Sequence, residues 1–145
     1  ILLDTFDLLA HTMKIKDIQF ISDLSAKKDL IFCSPNQMKQ ACLAILVNAT
    51  EAVAGNGEIT VKTMNSDDNN IRIEFTDNGV GIAPDDIPHI FEPFFSTKEK
   101  SSGIGLGLSI VHGLVQSHKG KIDVKSERGI ETTFAISLPL ITSKL

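Results

Sequence analysis

The sequence predicts an α/β protein, a two-layer sandwich with helices on one face of a mixed, mostly antiparallel sheet. Two observations carry this. The segments that alternate apolar and polar residues come mainly in consecutive pairs joined by turn formers, as hairpins do. The helical segments between them are too few for a sheet built of alternating parallel units.

Leu2, Leu3, Phe6, Leu9 and Met13 recur at helical spacing and predict a lead-in helix over residues 1–16. Ile18, Phe20 and Leu24 then predict a strand, and Leu30 to Phe32 a short extended piece. Ser34-Pro35 marks a helix start, with serine as N-cap and proline at the first helical position. That helix is expected from about Pro35 to Val53, stopped by Gly55-Asn56-Gly57. Ile59, Val61 and Thr63 alternate with Glu58, Thr60 and Lys62, and the polar stretch Asn65 to Asn70 turns the chain back. In the returning strand Ile71, Ile73 and Phe75 share one face, Arg72, Glu74 and Thr76 the other. Asn78 to Ala83 is a glycine-punctuated loop, and Pro84 opens a helical turn. From Pro93 to Ser102 there is no period. A second long helix is expected from Leu106 to His118, with Ile110, Val111, Leu114 and Val115 inward. Strands over Lys121–Ser126 and Thr132–Leu140, joined at Arg128-Gly129, close the chain.

The 145 residues suit one domain, 42% hydrophobic and 22% charged, with neither repeat nor low-complexity segment. A formal net charge of -4 gives a nucleic-acid surface no support. Cys33 and Cys42 fit no metal-ligand or redox spacing, which points to a reducing, cytoplasmic setting without a disulfide. No apolar run approaches the roughly 18 residues of a membrane span. Asp4 and Asp7 are wrong for a signal peptide, and the chain opens without Met inside an amphipathic pattern, so it reads as a piece of a longer protein.

Four patches carry chemistry. On the first long helix, Ala44, Asn48 and Glu51 form a stripe beside the apolar face Met38, Ala41, Cys42, Ile45, Ala49 and Ala52. The Asn48 amide is either satisfied by backbone or aimed into a cavity. In Asp77-Asn78-Gly79-Val80-Gly81-Ile82, Asp77 continues the inward parity of Ile71, Ile73 and Phe75. Its buried carboxylate needs a donor such as the exocyclic amine of a flat base, and the glycines let backbone approach that ring. The same residues also suit an ordinary turn at a strand end. Gly103, Gly105 and Gly107 open the second helix, where exposed amides and the helix dipole suit a phosphate, although a solvated loop would carry the same pattern. Phe91, Phe94 and Phe95 precede the polar stretch with Lys98 and Lys100; they need cover, anchor a lid, or dock a partner.

Taken in this order, the patches resemble the histidine-kinase branch of the superfamily that also holds gyrase B subunits, MutL mismatch-repair proteins and a heat-shock chaperone. The likeness spans about Ile18 to Leu140. QACLAILVNATEA is similar to the family's asparagine box, DNGVGI to its first glycine box, and FEPFFSTK to its phenylalanine box. GIGLGLSIVHGLV is similar to the second glycine box, and SERGIETTFAISLP to the last box with the closing strand. The resemblance implies the family's Bergerat-type ATP-binding fold over residues 1–145, with an ATP lid over 93–106. It implies ATP and Mg2+ as cofactors and Asn48 as the metal ligand. Asp77 would accept the adenine amine with Thr132 in support, and Gly79 and Gly81 would shape the base pocket. Glu51, Ala52, Ile82 and Phe91 would line the nucleotide site. Lys98 would reach the phosphates, and Gly103, Ile104, Gly105, Leu106, Gly107 and Leu108 would hold them. The implied activity is that of a sensor histidine kinase of two-component signalling. It transfers the γ-phosphoryl of ATP to a histidine on a dimerisation hairpin outside this chain, and serves a response regulator receiver domain downstream. Neither nucleic acid nor direct membrane contact is implied, although the whole protein is compatible with a membrane anchor.

His11, the only histidine ahead of the domain, is followed by Thr-Met-Lys and lacks the acidic residue and downstream proline of the family's phosphorylated box, so self-labelling is not expected. Ala44 stands where the kinases carry another asparagine, Glu131 where the last box has a second glycine, and Lys119 where the usual turn has a glycine. The first two departures leave room for a nucleotide-gated binding module without transfer. A protein serine kinase of the same fold is disfavoured by FEPFFSTK, and a gyrase-like ATPase by the lack of a glutamate at position 44.

Overall fold

The computed structural model describes residues 1–95 and 107–141. Helix α1 spans Leu2–Ile15 and strand β1 Gln19–Leu24. Helix α2 runs over Pro35–Ala52, followed by β2 (Glu58–Asp67) and β3 (Asn70–Asp77). A 3-10 turn at Ile87–His89 precedes the undescribed stretch, after which come α3 (Gly107–Ser117), β4 (Lys121–Glu127) and β5 (Glu131–Pro139).

The strands form one sheet in the order β1-β2-β3-β5-β4. β1 pairs with β2 in parallel and every other pair is antiparallel, so the sheet is mixed as expected. Alternation along β2, β3 and β5 turns Ile59, Val61, Ile71, Ile73, Phe75, Phe134, Ile136 and Leu138 to the helix side. There they join Met38, Ala41, Cys42, Ile45 and Ala49 of α2 and Val111 and Val115 of α3 in one core. Burying a side chain such as Phe75 contributes about 1.5–3 kcal/mol. α2 begins as its sequence dictates: Ser34 is extended, and its Oγ accepts from the Gln37 N–H. Both cysteines are free, and burial pushes the Cys42 thiol up to about 12.

Three local expectations change. β2 continues to Asp67, because the Asn65 amide donates to the Lys28 and Asn70 carbonyls while its oxygen accepts from the Lys28 N–H. A register shift between Asn65 and Asp67 absorbs the extra length. Leu30 to Phe32 forms no strand and contributes one carbonyl, at Leu30, to the Ile141 N–H. Ile110 is exposed, because the line that meets α2 and the sheet is Val111 and Val115, four residues apart, and a neighbouring position is turned about 100° away.

Candidate functional site

Asp77 ends β3 at the sheet's edge toward the α2 C-terminus, and only 3% of it is exposed. Its neighbours in register are Ile59 on β2 and Thr132 on β5. One carboxylate oxygen accepts from the Gly79 N–H at 2.9 Å, so the loop itself supplies a donor that a buried carboxylate requires. Gly79 threads between Asp77 and the end of α2. A Cβ there would sit 2.4 Å from the Ala52 carbonyl oxygen and 2.8 Å from the Asp77 carboxylate. Gly81 has φ +73°, and a Cβ would meet the Glu127 carbonyl oxygen at 2.5 Å. Both positions therefore demand glycine.

The loop after Asp77 is pinned on every side. The Val80 N–H donates to the Ala52 carbonyl at 3.1 Å, and the Val80 carbonyl accepts from the Gly129 N–H at 2.7 Å. Asn78 donates its N–H to the Glu58 carbonyl and accepts from the Glu58 N–H at 2.7 Å through its side chain. The Ile82 N–H donates to Ser126 Oγ at 2.8 Å. The loop joins the end of α2, the start of β2 and the β4–β5 turn into one preformed wall. On α2, Asn48 and Ala52 are half-buried, one turn apart, while Glu51 is exposed. Ala44 is half-buried one turn before Asn48. Thr132 is buried beside Asp77, and its hydroxyl lies 2.8 Å from Ser126 Oγ.

The three phenylalanines divide. Phe91 packs inward, its ring centroid 5.3 Å from His112 on α3 and 6.4 Å from Phe134 on β5. Phe95 is half-buried beside the His89 ring. Phe94 is 72% exposed with φ +66°, a conformation that a bulky side chain rarely adopts. His89 Nδ1 lies 2.8 Å from Glu92 Oε1, and that hydrogen bond, with the carboxylate's charge, holds the imidazole above its ordinary range. At the start of α3, Gly107 is exposed and Leu108 packs against the core. Lys98, Gly103, Ile104, Gly105 and Leu106 lie outside the described residues.

Around one wall the structure thus gathers Ala52, Asp77, Gly79, Gly81, Ile82 and Thr132, with Asn48 one helical turn before Ala52 on α2. Sequence reasoning missed Asn78 and Ser126, since a polar residue at a strand end carries no period. Glu131, which stands in place of the last box's second glycine, does not join this wall. It instead lines a groove on the opposite sheet face with Arg72, Glu74, Asp123 and Thr133, because it lies one residue from inward-facing Thr132. Among the described residues no group of three or more His, Cys, Asp or Glu is placed to hold a metal ion. No helix among them is long and apolar enough to cross a membrane.

The profile of the histidine kinase-, DNA gyrase B- and HSP90-like ATPases matches residues 33–142. The chain belongs to this ATPase family. Sporulation kinase E of Bacillus subtilis is 38% identical over 140 residues, covering 97% of this chain and 19% of that protein. The chain therefore spans about a fifth of that relative. The nucleotide-free catalytic domain of histidine kinase ThkA superposes with a TM-score of 0.82 at 26% identity, covering 94% of this chain and 88% of that one. ThkA has also been solved with response regulator protein TrrA, where the TM-score is 0.81 at 25% identity over 99% of this chain and 40% of that one. Full-length ShkA in complex with AMPPNP gives a TM-score of 0.86 at 27% identity, covering 99% of this chain and 30% of that one.

Proposed function

We propose that this ATPase-family domain binds ATP with magnesium and phosphorylates a histidine on a dimerisation hairpin of the same protein. The γ-phosphorus bond to the ADP oxygen breaks, a bond to an imidazole nitrogen forms, and ADP leaves. The observation that carries this reading is Asp77, a carboxylate 3% exposed that faces a glycine-shaped wall. Asp77 accepts the adenine amine, Thr132 supports it, and Gly79, Gly81 and Ile82 offer backbone close to the ring. Ala52, Glu51 and Phe91 border the site, and Gly107 with Leu108 opens the helix that receives the phosphates. Lys98, Gly103, Ile104, Gly105 and Leu106 are assigned to the phosphates on sequence resemblance alone.

The residues fit magnesium in the way that ion is usually held with a nucleotide. Mg2+ keeps several waters and takes one or two protein oxygens plus phosphate oxygens. The Asn48 amide oxygen on α2 offers one such ligand, and no all-protein cage is needed. When bound, the ion spreads the charge of the phosphates. ATP supply and two free thiols suit the cytoplasmic side, with any membrane anchor elsewhere in the protein. A response regulator receiver domain is the proposed downstream partner, a reading supported by the complex of ThkA with response regulator protein TrrA.

The test is transfer from radiolabelled ATP, with magnesium, to an added acceptor hairpin. Acid-labile label on the hairpin histidine is expected. Asp77→Ala leaves the base amine unpaired, which costs about 1.5–3 kcal/mol, so ADP affinity should fall roughly ten- to hundredfold by calorimetry. Unchanged affinity would remove Asp77 from the site.

A further inference from the structure

We propose that the free edge of β4 pairs antiparallel with β4 of a second copy of this chain, about a two-fold axis at Val124. β4 ends the sheet order with β5 beside it, and among the described residues no strand covers its other side. Such an edge carries a row of backbone donors and acceptors that another strand can take up. The hairpin shows which residues supply them. The Glu127 carbonyl accepts from the Ile130 N–H at 3.0 Å, so the backbone groups of Glu127 turn toward β5. Backbone groups alternate in direction along an antiparallel strand, and those of Ile122, Val124 and Ser126 therefore face the free edge.

The side chains select the partner. Lys121, Asp123, Lys125 and Glu127 are exposed on the open face of the sheet, and Ile122, Val124 and Ser126 alternate with them, half-buried on the helix side. Among the described residues none of the four charged groups is in an ion pair. Antiparallel pairing centred on Val124 sets Lys121 opposite Glu127 of the second copy, and Asp123 opposite Lys125 of the second copy. The two-fold axis repeats each pair. Opposite charges facing one another across a ladder stabilise it, and like charges oppose it.

The same charges fix the register. A slip of two residues one way sets Lys121 against Lys125 and Asp123 against its own copy. The same slip the other way sets Asp123 against Glu127 and Lys125 against its own copy. Charges on an edge usually guard it against pairing; these guard against the neighbouring registers and leave the centred one open. β1, the other edge, carries the single charge of Asp23 and no such pattern. The axis runs perpendicular to the sheet, so both helix layers stay on one side and the two five-stranded sheets join.

The experiment is sedimentation equilibrium of the chain in low salt, at concentrations up to about 1 mM, with amide exchange followed by NMR. A monomer–dimer equilibrium is expected, weakened by added salt. Exchange at Ile122, Val124 and Ser126 should slow as concentration rises. Asp123→Lys turns two attractive pairs repulsive, as does Lys125→Asp, and each alone should weaken the dimer about tenfold. Mixed in equal amounts, the two variants again face one another with opposite charges, and a heterodimer as strong as the wild-type dimer should form. A chain that stays monomeric throughout overturns the proposal. So does a dimer indifferent to both substitutions, or one whose newly protected amides lie outside β4. Losses that mixing does not restore would trace to damaged folding rather than to facing charges, and overturn it as well.

Discussion

Ala44 sits half-buried on α2, one helical turn before Asn48 and on the same stripe. An amide at position 44 would point where Asn48 points, toward the proposed phosphates, and alanine offers no hydrogen bond there. In the proposed site ground-state binding rests on Asn48 and Asp77, whereas the chemical step depends on groups positioned for the transition state. Ala44→Asn is therefore expected to raise phosphoryl transfer to an added hairpin by about three- to tenfold, with ATP affinity nearly unchanged, in kinetics at saturating ATP. A flat rate would take position 44 out of the chemistry. His89 gives a prediction in pH. Its bond to Glu92 raises its folded-state pKa, so whatever stability the pair adds is fully present below the unfolded histidine value and is lost as pH rises through the folded one. Both groups are exposed, which keeps that contribution small. The ring titration followed by NMR should move to lower pH in Glu92→Gln, and an unmoved midpoint would mean that the pair does not form in solution. Individual residues were legible where one chemical demand fixed them: Asp77 by its inward parity, and Gly79 and Gly81 by the close approaches that a side chain would block. Ser126 was not, because its importance lies in three partners from Ile82, Glu131 and Thr132 that no local pattern announces.

At the scale of elements, the α2 start came directly from Ser34-Pro35, and the β2–β3 and β4–β5 hairpins from alternation broken by turn residues. The order of strands did not. β5 inserts between β3 and β4, and β1 lies parallel to β2; these depend on which apolar faces meet after folding rather than on period. The bond that ties α3 to α2 was equally hidden. His118, just past the α3 C-terminus, accepts from the Ser34 N–H at 3.1 Å through Nε2, while its Nδ1 lies 2.8 Å from the Leu114 carbonyl oxygen. Since one partner only donates and the other only accepts, the ring's proton sits on Nδ1. A single imidazole thus satisfies an amide at the start of one helix and a carbonyl at the end of another, groups that helices leave without internal partners. His118→Phe keeps much of the ring's bulk but takes the partner from the Ser34 N–H, while the Leu114 carbonyl keeps the Ser117 hydroxyl at 2.7 Å; the change should cost about 1–3 kcal/mol in chemical denaturation. Stability equal to the wild type would show that water replaces the ring without loss.

For the whole molecule, the question is whether a nucleotide bound at the Asp77 wall can reach a histidine of this same chain. The chain has four histidines, and the structure gives each a setting. His112 lies on α3 with its ring against Phe91, and His118 has both nitrogens engaged between two helices. His89 is exposed, with its Nδ1 engaged 2.8 Å from Glu92 Oε1. His11 is exposed on α1, on the side of that helix away from Thr5, Leu9 and Met13, which pack it to the body of the domain. Phosphoryl transfer needs the acceptor in line with the breaking bond at near-contact distance. α1 packs on α2 and β1, whereas the phosphates are assigned at the start of α3, so His11 would have to leave its packed helix to arrive there. The expected outcome is that the chain incubated with radiolabelled ATP and magnesium acquires no acid-labile label, while an added acceptor hairpin does. Chain concentration should not change the first result, because collision between copies presents the same four histidines in the same settings. Label on His11 that grows with chain concentration would mean that the exposed face of α1 reaches the site of a second copy, and the transfer would then need no separate hairpin.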